Sequence, residues 1–199
     1  MELIQEHTEL AAYLAADDVV DHDHPLVQET ADALWTATGD AYSYAKVAFE
    51  FVRDTIPHSA DSGDDRVAWR ASDVLDTRNG ICYAKSHALT ALLRARGIPA
   101  GLCYQLLGDA EGANPVVHGL VALRLPGSEH WSRVDPRGNK PGVDAQFTLD
   151  REQLAFPVRP ELGEIDYPGL YVTGHPATLK ALQESADRPQ LMRNLPTAL

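Results

Sequence analysis

Hydrophobic residues in the first half of the chain recur at helical spacing, about every 3.6 positions. Gly39 and Asp40 interrupt this pattern, because glycine suits a helix C-terminus and aspartate suits the N-cap of the next helix. The pattern predicts four helical segments, at Pro25 to about Gly39, from there to Ile56, at residues 73–75, and from Cys82 to Arg96. Residues 58–66 are rich in Ser, Asp and Gly and predict a loop.

After Pro99 the pattern changes to the alternation of polar and apolar residues that is typical of strands. It predicts strands at Ala100–Leu107, Val116–Leu125 and Trp131–Asp135, and a short edge strand at Gln146–Thr148. Proline and glycine are frequent after Arg159, and a last short helix is predicted at residues 177–185. Helices followed by an antiparallel meander predict an α+β fold.

The length of 199 residues predicts one domain, with a helical part at about 1–99, an antiparallel sheet at about 100–150 and a C-terminal extension at about 151–199. Hydrophobic residues make up 44% and charged residues 23%, as in an ordinary globular protein. The sequence contains no apolar run of about 18 residues, so it predicts no membrane span. The start at Met1–Glu6 lacks the features of a secretory signal, so we expect a cytoplasmic protein.

Net charge and cysteine content narrow the classes of partner. A formal charge of −12 makes nucleic acid and anionic membranes poor partners. The two cysteines, Cys82 and Cys103, lack the spacing of a zinc site. In the reducing cytoplasm that we expect, a disulfide between them is not favoured. We therefore expect no cofactor and no metal. The alternative is a calcium site at the acidic loop of residues 61–65. The sequence does not fix the oligomeric state.

The stretch Asn79-Gly80-Ile81-Cys82 places a cysteine at the start of a predicted helix. Glycine allows the sharp turn before the helix, and the positive end of the helix dipole favours a thiolate over a thiol. The amide of Cys82 is also placed to donate to a developing oxyanion. The alternative is that Cys82 is a small core residue.

His118 and Asp135 supply the other groups that a cysteine nucleophile needs. His118 interrupts an apolar strand, and an imidazole within reach of a thiol serves as a general base. Asp135 ends the next predicted strand, where its carboxylate can fix the orientation of the imidazole. Alone, His118 could be a core histidine with satisfied hydrogen bonds, and Asp135 could be a turn residue before proline.

The helix that begins at Cys82 runs into Arg94-Ala95-Arg96-Gly97-Ile98-Pro99-Ala100, and in this the chain resembles the transglutaminase-like superfamily, which is related to the papain-like cysteine proteinases. The resemblance covers about residues 42–139. It implies a cysteine-bearing helix packed on an antiparallel sheet, with Cys82 as nucleophile, His118 as base and Asp135 as orienting acid.

Several neighbours of these residues are candidates for binding substrate. Family members often have a tryptophan shortly after the histidine, whereas here Gly119 and Leu120 follow, which leaves the substrate preference open. Tyr83, Gln105 and Trp131 are predicted to line the pocket. Arg137, with Lys140, could meet a substrate carboxylate or could be a solvated loop charge.

The remaining histidines are not expected to take part in the chemistry. His58, His130 and His175 stand beside predicted turns and are interpreted as surface residues. His87 is predicted to face away from the side of the helix that carries Cys82. Residues 21–24 read as an acidic loop with N-cap character rather than a ligand cluster.

The resemblance implies cysteine-dependent acyl chemistry on a peptide or small amide through a thioester. Attack by water would make the protein a peptidase or amidase, and attack by an amine would make it a transglutaminase-type transferase; we place hydrolysis first. One alternative is a non-catalytic binding or scaffolding domain with the same fold. Another is an acyl carrier like the arylamine N-acetyltransferases, although the chain is short for that family.

Overall fold

Helices occupy most of the first half of the chain and strands follow, as the periodicity predicts. The computed structural model describes residues 1–199. The helices are α1 (Pro25–Thr36), α2 (Ala41–Thr55), α3 (Ser59–Ser62), α4 (Ala71–Thr77), α5 (Cys82–Arg94), α6 (Pro176–Gln183) and α7 (Arg188–Arg193). The strands are β1 (Ile4–Gln5), β2 (Ala100–Leu107), β3 (Val116–Leu123), β4 (Ser132–Val134), β5 (Ile165–Asp166) and β6 (Gly169–Leu170). The α+β fold class is confirmed.

The main sheet has the strand order β4-β3-β2-β5, and all of its pairs are antiparallel. The long β2–β3 ladder sets Gln105 opposite His118, so these two side chains start from the same face of the sheet. A second, two-stranded sheet pairs β1 with β6 in parallel. Residues 151–199 therefore add strands to both sheets.

Helix α5 lies at the centre of the molecule, and every one of its residues is buried. It packs on β2 and β3 on one side and on α2 and α4 on the other. The hydroxyl of Tyr44 on α2 donates to the Leu92 carbonyl of α5 at 2.6 Å, which fixes the two helices against each other. Complete burial explains why small residues alternate with leucines along α5, since close neighbours surround it on all sides. Its first residue, Cys82, is held in place by this packing.

The helix termini follow the predicted capping chemistry. The Asp40 side chain accepts a hydrogen bond from the Ser43 amide at 3.0 Å, and Gly39 has the positive φ of 81° that glycine tolerates. Arg94, near the end of α5, donates from Nε to the Ala100 carbonyl at 3.0 Å. That bond secures the turn from α5 into β2.

Three local predictions were wrong, each for a short segment. The predicted loop at residues 58–66 contains helix α3, whose start is capped by His58. Residues 146–148 form no strand, because their backbone is held in a loop where the Gln146 amide donates to the Gln153 carbonyl. Helix α7 follows α6 as a separate turn that was not predicted. No helix of the chain combines the length and apolar character that a membrane crossing needs.

Candidate active site

Cys82 is the first residue of α5, and its thiol is free. Gly80 turns the chain into the helix with little space to spare, since a Cβ at this position would approach the Ala84 Cβ to 3.0 Å. Cys82 is 8% exposed and lines a cleft. A thiol at a helix N-terminus with access to a cleft has the placement that nucleophilic cysteines share.

His118 on β3 connects Cys82 to Asp135, which directly follows β4. The His118 Nε2 atom lies 2.8 Å from Asp135 Oδ2, and Cys82 is near enough to the ring to contribute to the raised pKa of His118. Asp135 is fully buried and accepts backbone hydrogen bonds from Arg137 at 3.0 Å and Ala155 at 3.1 Å. These bonds fix the carboxylate, which in turn orients the imidazole toward the thiol.

The electrostatics of this chain favour a charged imidazole. Burial by itself would lower the pKa of His118, but the negative charges of Asp135 and Cys82 outweigh it and raise that pKa to about 10. Burial would raise the pKa of Asp135, yet the His118 charge and the backbone donors lower it. The arrangement therefore suits an imidazolium held against the Asp135 carboxylate, beside the Cys82 side chain.

The cleft beside Cys82 has a volume of about 550 Å³ and mainly apolar walls. Leu107 and Val116 come from the β2–β3 end, Phe156 from the loop after β4, and Met192 and Leu195 from the segment around α7. The segment after α7 is secured because the Val117 amide donates to the Pro196 carbonyl at 2.8 Å. The C-terminal part of the chain thus supplies one wall of the cleft.

Arg137 lines the cleft, but its charge is already paired. Its guanidinium forms an ion pair with Asp61, and Lys140 binds the same carboxylate at 2.6 Å. Asp64 and Asp65 of the acidic loop are likewise paired, with Arg66 and Arg188. No group of three or more His, Cys, Asp and Glu side chains is arranged to hold a metal ion. The carboxylates of this loop thus serve to hold it in place.

The structure places three of the predicted pocket residues outside the cleft. The Tyr83 hydroxyl donates to the Val117 carbonyl at 2.5 Å, and its ring fills the space over Gly119. Gln105 is buried opposite His118, with its Oε1 unpartnered. Trp131 packs edge-on against Tyr13 at 4.9 Å between ring centroids, in the cluster around Cys103 and Leu120 and away from the cleft. These residues support the sheet that carries His118 rather than contact a ligand in the cleft.

The sequence model of the transglutaminase-like superfamily matches residues 28–136, a span that includes Cys82, His118 and Asp135. The chain belongs to the transglutaminase-like superfamily. The match covers more than half of the chain, from α1 to the residue after Asp135. None of the curated proteins compared with the chain matches it.

One solved structure shares the fold, and a second is similar over part of the chain. A proposed cysteine protease from Cytophaga hutchinsonii superposes with a TM-score of 0.54 at 20% identity, over 66% of this chain and 43% of that one. The periplasmic domain of TgpA from Pseudomonas aeruginosa gives 0.48 at 24% identity, over 62% and 45%. This transglutaminase-like chain therefore spans less than half the length of both structures.

His58 belongs to the site, and the sequence-based interpretation of it as a surface residue was wrong. It is half-buried and lines the same cleft as Cys82 and His118. Its Nε2 atom lies 3.1 Å from the backbone nitrogen of Cys82. Backbone pairing brings it there, since the Ser59 amide donates to the Gly80 carbonyl at 3.1 Å. The one local signal was a histidine just before Ser59-Ala60-Asp61, a position from which a side chain can cap a helix.

Proposed function

We propose that this member of the transglutaminase-like superfamily is a cysteine-dependent hydrolase of peptides or small amides, with Cys82 as nucleophile, His118 as general acid and base, and Asp135 as the residue that orients His118. The 2.8 Å contact between His118 and Asp135, in a cleft that His118 and Cys82 line together, carries this proposal.

In the first half of the reaction, the Cys82 thiolate attacks the carbonyl carbon of the bound amide. The carbonyl electron pair moves onto oxygen and returns as the C–N bond breaks, while the His118 imidazolium gives its proton to the leaving amine. The product is a thioester on Cys82 and a neutral His118. Asp135 remains ionised throughout and holds the ring in position.

In the second half, His118 takes a proton from water as the water oxygen attacks the thioester carbon. The C–S bond breaks, the acid is released, and the thiolate and imidazolium are restored. If a primary amine attacks in place of water, the same steps give a new amide, which is the transferase reaction. The apolar walls of the cleft favour substrates with an apolar group next to the scissile bond.

The test is to trap the thioester and follow its fate. The protein is mixed with p-nitrophenyl esters of an acetyl, a hexanoyl or a succinyl group, and the mass increase on Cys82 is measured by peptide mass spectrometry. We expect acylation of Cys82, fastest for hexanoyl, followed by loss of the acyl group to water. Release that depends on added primary amine would favour the transferase instead.

Cys82→Ala is the matched negative variant. The hydrolase proposal fails if wild-type Cys82 acylates no faster than a free thiol at the same pH, and the non-catalytic binding domain then becomes the better interpretation.

A further inference from the structure

The environment of His58 is unusual because its ring meets two backbone amides. The Ala60 amide points at Nδ1 from 3.2 Å, and the Cys82 amide points at Nε2 from 3.1 Å. A neutral imidazole carries one N–H and one lone pair, so it can accept from only one of these amides at a time. One of the two amides therefore faces a ring N–H rather than a lone pair.

Protonation does not relieve this conflict. Burial, together with the nearby charges of Arg137 and Lys85, lowers the pKa of His58 to about 3, so the ring is neutral at physiological pH. A charged ring would in any case have two N–H groups facing two amides. In the neutral state, the ring N–H, the Cys82 amide and the Ala60 amide are thus three donors, and the ring offers them a single lone pair.

Two other histidines show which amide takes the lone pair. His24 caps α1 and His175 caps α6, and each accepts at Nδ1 from the amide two residues ahead, at 3.3 Å. His58 makes the same contact to Ala60 at the start of α3. With Nδ1 used as the acceptor, the proton of His58 sits on Nε2, beside the Cys82 amide and at the edge of the cleft.

From this arrangement we propose that His58 is a catalytic residue that completes the oxyanion hole, its Nε2–H donating together with the Cys82 amide to the oxygen that becomes negative when Cys82 attacks a carbonyl. One oxygen at this point satisfies every donor, since it accepts from Nε2–H and from the Cys82 amide while the Ala60 amide keeps Nδ1. The inference rests on the proposed acyl chemistry of Cys82.

The position of His58 is fixed by the backbone rather than by the ring. The pairing of Ser59 with the Gly80 carbonyl anchors the chain beside the turn that leads into Cys82. Preorganised donors of this kind stabilise a developing charge without having to reorganise during the reaction. A neutral imidazole also suits the role, because it donates without taking the proton that His118 must deliver.

The experiment compares two reactions of the same thiol. Acylation of Cys82 by p-nitrophenyl acetate passes through an oxyanion, whereas alkylation by iodoacetamide is a displacement at carbon that forms none. In His58→Phe, which retains a ring but no donor, we expect acylation to fall by roughly 100-fold or more, the typical loss of one oxyanion donor, while alkylation stays within about threefold of wild type. His58→Gln should recover part of the acylation rate, because its amide can donate. His24→Phe removes a capping histidine of the same type away from the cleft and should change neither rate.

Equal acylation by wild type, His58→Phe and His58→Gln would overturn the inference while leaving the hydrolase proposal intact. A parallel fall of acylation and alkylation would also overturn it, because His58 would then act on the thiol itself. Failure of the wild-type protein to acylate would overturn both proposals. If circular dichroism shows that His58→Phe is unfolded, His58→Gln is compared with His58→Glu instead. The Glu side chain cannot donate when it is ionised. Acylation at least about tenfold faster in the Gln variant would then support the oxyanion role, and equal rates would refute it.

Discussion

Cys82 and Cys103 are the two thiols of the chain, and their surroundings differ in every respect that governs reactivity. Cys82 begins a helix, contacts His118 and opens into the cleft. Cys103 lies in the middle of β2, enclosed by Tyr13, Leu120 and Leu170. Burial raises the pKa of the Cys103 thiol to about 12.

The difference shows that burial alone does not decide how a thiol behaves, since both cysteines are buried. At Cys103 the packed neighbours are apolar, so a thiolate would lose its hydration, and the charge of Arg133 does not offset that loss. Cys82 instead lies at a helix end beside His118, the placement that nucleophilic cysteines share. One residue type therefore serves as core filling in one place and is fitted for chemistry in another.

Replacement of each cysteine in turn by alanine should give the largest difference in reaction rates. Cys82→Ala removes the nucleophile and is expected to abolish both acylation by p-nitrophenyl acetate and rapid alkylation by iodoacetamide. Cys103→Ala should leave both rates within about twofold of wild type, because Cys103 touches neither the cleft nor His118. Rapid labelling that persists in Cys82→Ala and disappears in Cys103→Ala would reverse the assignment of the reactive thiol.

Removal of the Asp135 charge should give the next largest effect. Asp135→Asn keeps the size of the side chain but no longer holds the His118 ring as an imidazolium, so we expect acylation to fall by about 10²- to 10⁴-fold. The pH profile of iodoacetamide alkylation provides the second measurement. It should move toward that of an ordinary thiol near pH 8.5, because the imidazolium that stabilises the thiolate is lost. A variant with the wild-type profile would show that Asp135 has no part in setting the reactivity.

His118 should also make stability depend on pH. Its pKa is about 10 in the folded protein, above the ordinary value of about 6.5, so its charged form favours folding. That contribution is complete below about pH 6.5 and is lost as the pH rises to about 10. Urea unfolding of wild type and His118→Gln at pH 6, 8 and 10 measures it. The stability advantage of wild type should shrink at each step, and a constant difference would contradict the raised pKa.

The smallest expected effect is that of Cys103→Ala on stability. Truncation of a fully buried small side chain leaves a small cavity and should cost about 1 kcal/mol of the free energy of unfolding. Chemical denaturation followed by tryptophan fluorescence measures it, since Trp131 packs in the same cluster. A loss above about 3 kcal/mol would mean that Cys103 does more than fill space.

Much of the framework follows from the sequence because its elements are long and strongly patterned. Strand β2 has the predicted bounds, Ala100–Leu107, and α5 begins at the predicted residue, Cys82. Each has enough residues for its hydrophobic period to stand out. The short elements α3, α7, β1, β5 and β6 were missed, since two to six residues hold fewer than two periods and form through contacts with distant segments.

The site shows the same division between local and distant information. The contacts of Cys82, His118 and Asp135 agree with their prediction from helix-start chemistry, strand position and family resemblance, and their catalytic roles stay a proposal. The sequence predicts Trp131 at the pocket, but it lies just before β4 and packs against Tyr13, away from the cleft. The interpretation of His58 as a surface residue was wrong because its place beside Cys82 depends on the pairing of Ser59 with Gly80, which no local pattern encodes. The cytoplasmic location and the single-domain organisation stay predictions.

The parallel pair of β1 and β6 has a consequence for how the chain folds. Its two hydrogen-bonded strands are very far apart in the sequence, whereas the helices around Cys82 are close neighbours along it. Closing so long a loop costs much entropy and returns only a few hydrogen bonds, so this pair should be among the last parts to form and the first to open. Exchange of the Glu6 amide, which donates to the Leu170 carbonyl at 2.9 Å beside β1, should therefore be faster than exchange of the amides within α5. The helix that carries the thiol would then reach its native surroundings before the chain has finished closing around it.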